Sequence, residues 1–198
     1  MQLKTEVFLV EKEILVYIQT KSIGIEDNSI KLKMTPLLKK FANIGDKVYL
    51  KHSTFMLPTK IKAKKEDEVL LEFPSLTPEK PLGDRRNVRV LSDPENPVKV
   101  RFNEITKEVY DISEVGFSIK CGMEEIDEIL KNKEISEVEI YLPNLEEWIK
   151  GSARLVNVRE FENGDILCGY ELFLDTPDEV KVRFYIYERV KEILKGEK

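Results

Sequence analysis

Histidine, cysteine and arginine are scarce in this chain of 198 residues. His52 is the only histidine, and the two cysteines are Cys121 and Cys168. These few residues make two kinds of site improbable: a catalytic pair of a nucleophile and a histidine base, and a zinc site of histidines and cysteines. The sequence also contains no Gly-rich loop of the kind that cradles phosphates. We expect a protein that is not an enzyme and that holds neither a metal nor another cofactor.

Long hydrophobic runs are also missing. No apolar stretch approaches the roughly 20 residues that a membrane-spanning helix needs, and the N-terminus lacks a signal-peptide pattern. With 41% hydrophobic and 35% charged residues, we expect a soluble, cytoplasmic protein without membrane insertion. In the cytoplasm the two cysteines are expected to be separate, small buried residues, and a disulfide between them is the alternative.

The charge is distributed unevenly along the chain. Residues 1–83 contain no arginine and carry a net charge of +3, whereas residues 84–198 contain all eight arginines and carry −8. Proteins that bind long nucleic acids spread basic charge over a whole face. We therefore expect neither DNA nor RNA as a partner, although single-stranded nucleic acid on a small β-barrel is the alternative that a gel shift would reveal.

The pattern of apolar residues predicts two small β-barrels. Short β-rich runs separated by turn residues fill residues 1–73, and alternating runs such as Val98–Phe102 continue in the second half. Three prolines and a glycine in residues 74–83 indicate a linker. We therefore predict an all-β protein with a C-terminal helix, and place its domains at residues 1–82 and 83–198.

The C-terminal helix is predicted from a change of period after Pro177. Its apolar residues recur at helical spacing and comprise Val180, Phe184, Tyr187, Val190, Ile193 and Leu194. We expect this stripe to pack on its own barrel. Pairing with a second copy of the chain, which gives a homodimer, is the alternative.

Two short motifs carry the chemistry of the second half. Arg85, Arg86 and Arg89 place three guanidinium groups within five residues, and guanidinium suits phosphate oxygens and the O6/N7 edge of guanine. Asp111 and Ser113 share one face of a strand, and Gly116 permits a turn or a close backbone approach. A carboxylate can accept from the Watson–Crick edge of guanine. Together these residues favour a guanine nucleotide as ligand.

The arrangement Arg85-x-x-x-Arg89 followed by Asp111-x-Ser113-x-x-Gly116 resembles the two signature motifs of the PilZ domain family. The segments Ile149–Val156 and Gly169–Phe173 resemble its middle and closing strands, and the terminal helix has the same position in the chain as in that family. Residues 1–82 resemble, more weakly, the β-barrel that precedes PilZ in flagellar-brake proteins.

The resemblance implies a six-stranded antiparallel PilZ barrel after an N-terminal split barrel, with the bacterial second messenger cyclic di-GMP held between them. Arg85 and Arg89, assisted by Arg86, are then expected to hold phosphates and guanine, Asp111 and Ser113 to contact a base, and Gly116 to shape the loop. Asp84 stands where many members have another arginine, which favours one ligand per chain.

The function that the resemblance implies is second-messenger signalling. Ligand-driven domain rearrangement would regulate a protein partner, such as a flagellar motor component in motility or the machinery of biofilm exopolysaccharide. A PilZ-like module that has lost its ligand and only binds proteins is the alternative.

Overall fold

The computed structural model describes residues 3–11, 14–26, 28–52, 55–75, 77, 79 and 88–195. The first half contains, in chain order, β1 (Leu3–Glu11), β2 (Ile14–Glu26), β3 (Ser29–Lys33), α1 (Pro36–Phe41), β4 (Lys47–His52), β5 (Phe55–Lys64) and β6 (Glu68–Glu72). The second half contains β7 (Arg89–Leu91), β8 (Lys99–Phe102), β9 (Ile105–Ser113), β10 (Gly116–Cys121), α2 (Ile126–Lys131), β11 (Glu134–Leu142), β12 (Glu147–Glu160), β13 (Ile166–Phe173) and α3 (Thr176–Lys195).

The chain forms two compact units. Unit 1 comprises Met1–Asp84 together with Asn157–Ile166, and unit 2 comprises Arg85–Val156 together with Leu167–Lys198. Strand β12 therefore contributes its first ten residues to unit 2 and its last four to unit 1.

Unit 1 is a closed barrel of six antiparallel strands in the order β1-β4-β5-β6-β3-β2, with β2 returning to β1. Alternation of apolar and polar residues explains the barrel: in β2 the side chains of Ile14, Val16, Ile18 and Thr20 are buried, while those between them are half-buried. The end of β12 adds a short parallel pairing on β2, with Val158 opposite Val16.

Glu160, the last residue of β12, secures the start of α1. Its Oε2 accepts hydrogen bonds from Thr35 Oγ1 at 2.5 Å and from the Leu37 N–H at 3.0 Å, while Thr35 Oγ1 accepts from the Leu38 N–H. The first turn of a helix leaves its backbone N–H groups without acceptors inside the helix. In α1, two of these groups donate to the side chains of Glu160 and Thr35. Burial of this carboxyl raises its pKa, partly offset by the bonds from Thr35 and Leu37.

A raised carboxyl pKa makes unit 1 less stable as the pH rises. The folded state holds the Glu160 proton more tightly than the unfolded state, whose value is near 4.5. The stabilisation is complete below that pH and is lost as the pH rises through the higher folded value. Glu160→Gln keeps the acceptor and removes the titration, so the variant should gain stability over the parent above pH 4.5. Urea unfolding of both proteins across pH would show this, and a difference that does not change with pH would contradict it.

Unit 2 is a second closed barrel of six strands, in the order β12-β11-β8-β9-β10-β13, with β13 pairing back to β12. Strand β7 also pairs with β9, at the C-terminal end of β9, whereas β8 pairs with the N-terminal part of β9. The core is formed by apolar side chains that include Val100, Ile112, Phe117 and Ile140, and Phe117 stacks on Tyr170 at 5.4 Å between centroids. The predicted fold class, all-β with a C-terminal helix and two small barrels, is confirmed.

The expectation of two separate cysteines was wrong. Cys121 and Cys168 form a disulfide, with Cα atoms 6.3 Å apart, a separation that suits such a bond. A sequence separation of 47 hides their proximity. It arises because β10 and β13 are neighbours in the barrel.

The buried face of α3 also differs from the predicted one. Val180, Phe184 and Tyr187 are 55%, 47% and 61% exposed, whereas Val182, Tyr185, Ile186 and Arg189 are buried. The two faces interleave along the sequence and both contain aromatic residues, so periodicity alone favoured the wrong one. Within the described residues, no helix has both the length and the apolar character needed to cross a bilayer.

Candidate functional site

The two motifs of the second half meet at the pairing of β7 with β9. Arg89 lies opposite Ser113, and Leu91 lies opposite Asp111. Arg89 Nη1 and Asp111 Oδ1 form an ion pair of 2.7 Å, and the two side chains are only 20% and 10% exposed. A charge-assisted hydrogen bond of this length, shielded from water, fixes both side chains in position.

The hairpin between β9 and β10 holds the rest of the second motif. Ser113 is paired with Gly116 across the turn, and Ser113 Oγ donates a hydrogen bond of 3.1 Å to the Gly116 carbonyl. The Ser113 side chain is thus buried and bonded to its own turn. This hydroxyl therefore orders the loop in the structure.

Position 116 requires a glycine because the neighbouring strand β13 lies too close for a side chain. A Cβ added there would meet the Tyr170 carbonyl oxygen of β13 closer than 3.0 Å, a separation that real Cβ atoms essentially do not show. Of the two roles that the sequence allowed for this glycine, the structure shows the close backbone approach.

Four of the six predicted site residues are therefore together in unit 2: Arg89, Asp111, Ser113 and Gly116. Arg85 and Arg86, and also Asp84, lie outside the described residues. Among the described residues, no three histidine, cysteine, aspartate or glutamate side chains are grouped as metal ligands would be.

Sequence reasoning missed the contacts of α3 with this site. Arg189 is 8% exposed, its Nε donates to the Leu91 carbonyl of β7 at 3.3 Å, and its Nη1 lies 3.4 Å from Asp93 Oδ2. Arg183 forms an ion pair of 3.3 Å with Glu114, within the β9–β10 turn. An arginine among the apolar residues of the predicted helix was the available signal.

The Arg189 guanidinium has an electrostatic environment that keeps it charged. The hydrogen bond to Glu192 raises its pKa, desolvation opposes this, and Asp93 adds to the rise. A permanently charged group is therefore buried between α3 and the segment that follows Arg89. It connects the helix to the strand that carries the first motif.

The first unit matches one family model, "Domain of unknown function (DUF8089)", over residues 3–73. An uncharacterized protein of Aquifex aeolicus (strain VF5) is 33% identical over 142 residues, which cover 66% of this chain. The chain spans 62% of the length of that relative.

Two solved structures resemble the chain, one of them over nearly its full length. The complex of K. pneumonia MrkH with c-di-GMP is 11% identical, and the match covers 98% of this chain and 90% of that one with a TM-score of 0.51. The PilZ domain of Escherichia coli YcgR with c-di-GMP is 14% identical, covering 58% of this chain and 97% of that one with a TM-score of 0.46. The likeness to MrkH shows a shared fold.

Proposed function

We propose that this protein is a receptor for cyclic di-GMP. The ligand-binding residues are Arg85, Arg86, Arg89, Asp111, Ser113 and Gly116. The observation that carries the proposal is the ion pair of Arg89 with Asp111 directly beside the Ser113–Gly116 turn. Two motifs with 21 residues between them in the sequence thus present a guanidinium, a carboxylate and a closely packed turn in one place.

The chemistry of this cluster suits a guanine nucleotide. Guanidinium carries five N–H donors in a fixed fork, so Arg89 can hold Asp111 and a ligand phosphate or guanine O6/N7 edge at the same time. The two oxygens of Asp111 can accept from the N1–H and 2-amino groups of guanine. Its ion pair with Arg89 fixes the carboxylate before the ligand arrives, which lowers the entropy cost of binding.

The fold supports the same ligand, because MrkH, whose fold the chain shares, was solved as a complex with c-di-GMP. We propose one cyclic di-GMP per chain, since the Asp84 carboxylate repels the phosphates of a second molecule. The chain acts as a receptor that does not turn the nucleotide over, and its single histidine, His52, belongs to the first unit.

The response to the ligand is a rearrangement of the two units that changes binding of a protein partner. A ligand can shift such an equilibrium only through contacts that differ between the states. We propose a partner in motility, such as a flagellar motor component, or in the machinery of biofilm exopolysaccharide. Within unit 2, Arg189 and Arg183 connect both motif segments to α3, so this helix is placed to respond to the ligand.

Arg189→Ala should loosen α3 from β7. The variant loses charge-assisted bonds from a buried side chain, each worth about 1.5–3 kcal/mol, so we expect a loss of about 2 kcal/mol in the free energy of unfolding. Amide hydrogen exchange should also become faster in α3 and β7. Arg183→Ala is the matched control, because its exposed ion pair contributes under about 1 kcal/mol. Equal effects of the two substitutions would contradict the role given to Arg189.

Ligand-dependent stability tests the proposal itself. At a cyclic di-GMP concentration of 100 times its Kd, the free energy of unfolding should rise by about 2.7 kcal/mol, and linear GMP at the same concentration should give a smaller rise. Thermal unfolding with each nucleotide measures this. No shift up to millimolar cyclic di-GMP would refute the receptor function and favour a ligand-independent protein-interaction module.

A further inference from the structure

Helix α3 presents an apolar stripe to solvent. Val180, Phe184 and Tyr187 are 55%, 47% and 61% exposed, and their spacing of four and three residues keeps all three on one helical face. The buried side chains of Val182 and Arg189 lie on the opposite face, about 180° away around a helix of 3.6 residues per turn. The stripe therefore points away from the barrel, where a surface helix normally carries polar residues. A contiguous exposed apolar patch of this kind indicates a contact surface.

The charges of α3 favour a second copy of the same helix that runs in the opposite direction. The first turn is acidic, with Asp178 and Glu179, whereas Lys191 continues the stripe towards the C-terminal end of the helix. An antiparallel arrangement places the acidic start of each helix beside the basic end of the other. It also brings the positive end of each helix dipole beside the negative end of its neighbour. A parallel arrangement would bring like charges together.

One register aligns the apolar side chains of the two copies. When Phe184 of one helix lies opposite Tyr187 of the other, twofold symmetry repeats that contact, and Val180 comes opposite Lys191. The two aromatic pairs form the centre of the contact, where such residues contribute most of the binding energy. The aliphatic part of Lys191 can cover Val180 while its ammonium group stays in water. Each apolar residue of the stripe thus has an apolar neighbour in the second copy.

The flanks of the stripe carry complementary charges in the same register. Lys181 and Glu188 lie on the same side of the stripe, seven residues apart, so Lys181 of each copy comes beside Glu188 of the other. Lys181 already bonds to Glu147 at 2.6 Å and to Asp178 at 2.9 Å, but an ammonium group has three donors. Glu188 accepts from Lys191, and a carboxylate has about four acceptor sites. Both groups can therefore take an additional partner from the second copy.

We infer that the chain forms a homodimer in which the α3 stripes of two copies pack against each other in antiparallel orientation. Helix α3 has 20 residues, which corresponds to about 30 Å of helix. A single helix pair of this length buries less than the roughly 1,200 Å² of a standard interface, so we expect a reversible dimer with a Kd on the order of 100 µM. The contact does not involve the Arg89–Asp111 cluster, and it does not depend on cyclic di-GMP.

Sedimentation equilibrium of the full chain without nucleotide tests this contact. The parent should change from mostly monomer at about 10 µM to mostly dimer at about 1 mM. Phe184→Glu places a charge at the centre of the stripe and should raise the dimer Kd by about tenfold or more. Ile25→Glu is the matched control, because Ile25 is an apolar residue of β2 in unit 1 that is 69% exposed, and it should leave the Kd unchanged.

Three results would overturn the inference. A parent that stays monomeric at the highest concentration would do so, and would leave a different protein as the occupant of the stripe. A dimer that Phe184→Glu leaves intact would place the contact elsewhere on the chain. A dimer that Ile25→Glu breaks would place it on unit 1. Both substitutions are at exposed side chains, and circular dichroism of each variant should match that of the parent.

A charge exchange tests the antiparallel register. Lys181→Glu and Glu188→Lys should each raise the dimer Kd about threefold or more, because each replaces two attractive contacts between the copies with repulsive ones. The double variant restores the attraction, so it should recover the affinity of the parent within about twofold. A double variant as weak as the single ones would overturn the antiparallel pairing. All of these measurements use the chain without cyclic di-GMP, so their outcome is independent of the proposed receptor function.

Discussion

Arg89→Ala is expected to lower the affinity for cyclic di-GMP by about 100-fold. Removing one partner of a desolvated, hydrogen-bonded charge pair costs about 2–5 kcal/mol, and 2.7 kcal/mol corresponds to a factor of 100 in Kd. The loss has two parts. The ligand loses the guanidinium, and Asp111 loses the group that holds its carboxylate at 2.7 Å. Isothermal calorimetry of the folded variant measures the change.

A double variant distinguishes a binding role of Arg89 from a structural one. Arg89→Ala removes the ion pair that Arg89 forms with the mostly buried Asp111, which also destabilises unit 2. Adding Asp111→Asn removes the buried carboxylate charge, so it should restore part of the stability, while cyclic di-GMP affinity stays low because both proposed contacts to the ligand are then missing. Arg101→Ala, at an exposed arginine paired with Glu139, should leave affinity unchanged. Recovery of affinity in the double variant would show that neither side chain contacts the ligand and that the loss in Arg89→Ala came from destabilisation.

Gly116→Ala is expected to destabilise unit 2 by about 3 kcal/mol. The added methyl group would overlap the Tyr170 carbonyl of β13, and its other close neighbours are also backbone atoms of Tyr170 and Glu171. Backbone in a closed barrel cannot move aside cheaply, and overpacking of this kind typically costs 1–3 kcal/mol and sometimes more. Because Gly116 follows Ser113 in the turn, affinity for cyclic di-GMP should fall as well.

Gly24→Ala is the matched control for this substitution. Gly24 also lies in a barrel strand, but a Cβ there meets no atom within 4 Å, so the change should stay within about 0.5 kcal/mol. Urea unfolding of both variants gives the comparison. A Gly116→Ala variant that is as stable as Gly24→Ala would show that β10 and β13 can separate, and would contradict the packing reason given for this glycine.

Local sequence patterns were sufficient for much of the fold. Strand alternation, the change of period after Pro177 and turn composition predicted β-barrels followed by a helix. The turn at Glu162–Asp165 is a good example: Gly164 adopts a φ of 89°, and its N–H bonds to the Phe161 carbonyl. Such features depend on residues that are neighbours in the chain.

Features that depend on distant pairing could not be predicted. The end of β12 pairs with β2 about 140 residues earlier, so residues 157–166 group with the first unit, although no composition change marks them. The Cys121–Cys168 disulfide and the link from Arg189 to Leu91 have the same origin. Each requires knowing which strands and helices are adjacent.

The residues of the candidate site were selected from the sequence because its motifs are short and chemically specific. The spacing of Arg89, Asp111, Ser113 and Gly116 indicated the residues, whereas the ion pair and the turn hydrogen bond required the β7–β9 and β9–β10 pairings. The buried Glu160 gave no such signal. A glutamate at the end of a strand is usually solvated, and only the three-dimensional contact with α1 shows that it is enclosed.

Calorimetric titration of the full chain with cyclic di-GMP is the sharpest test of the proposed receptor function. We predict saturable binding at micromolar protein with one ligand per chain, and an affinity about 100-fold weaker in Arg89→Ala. Two ligands per chain would contradict only the role given to Asp84. No heat of binding in the parent protein, or a titration that Arg89→Ala leaves unchanged, would contradict the receptor function itself.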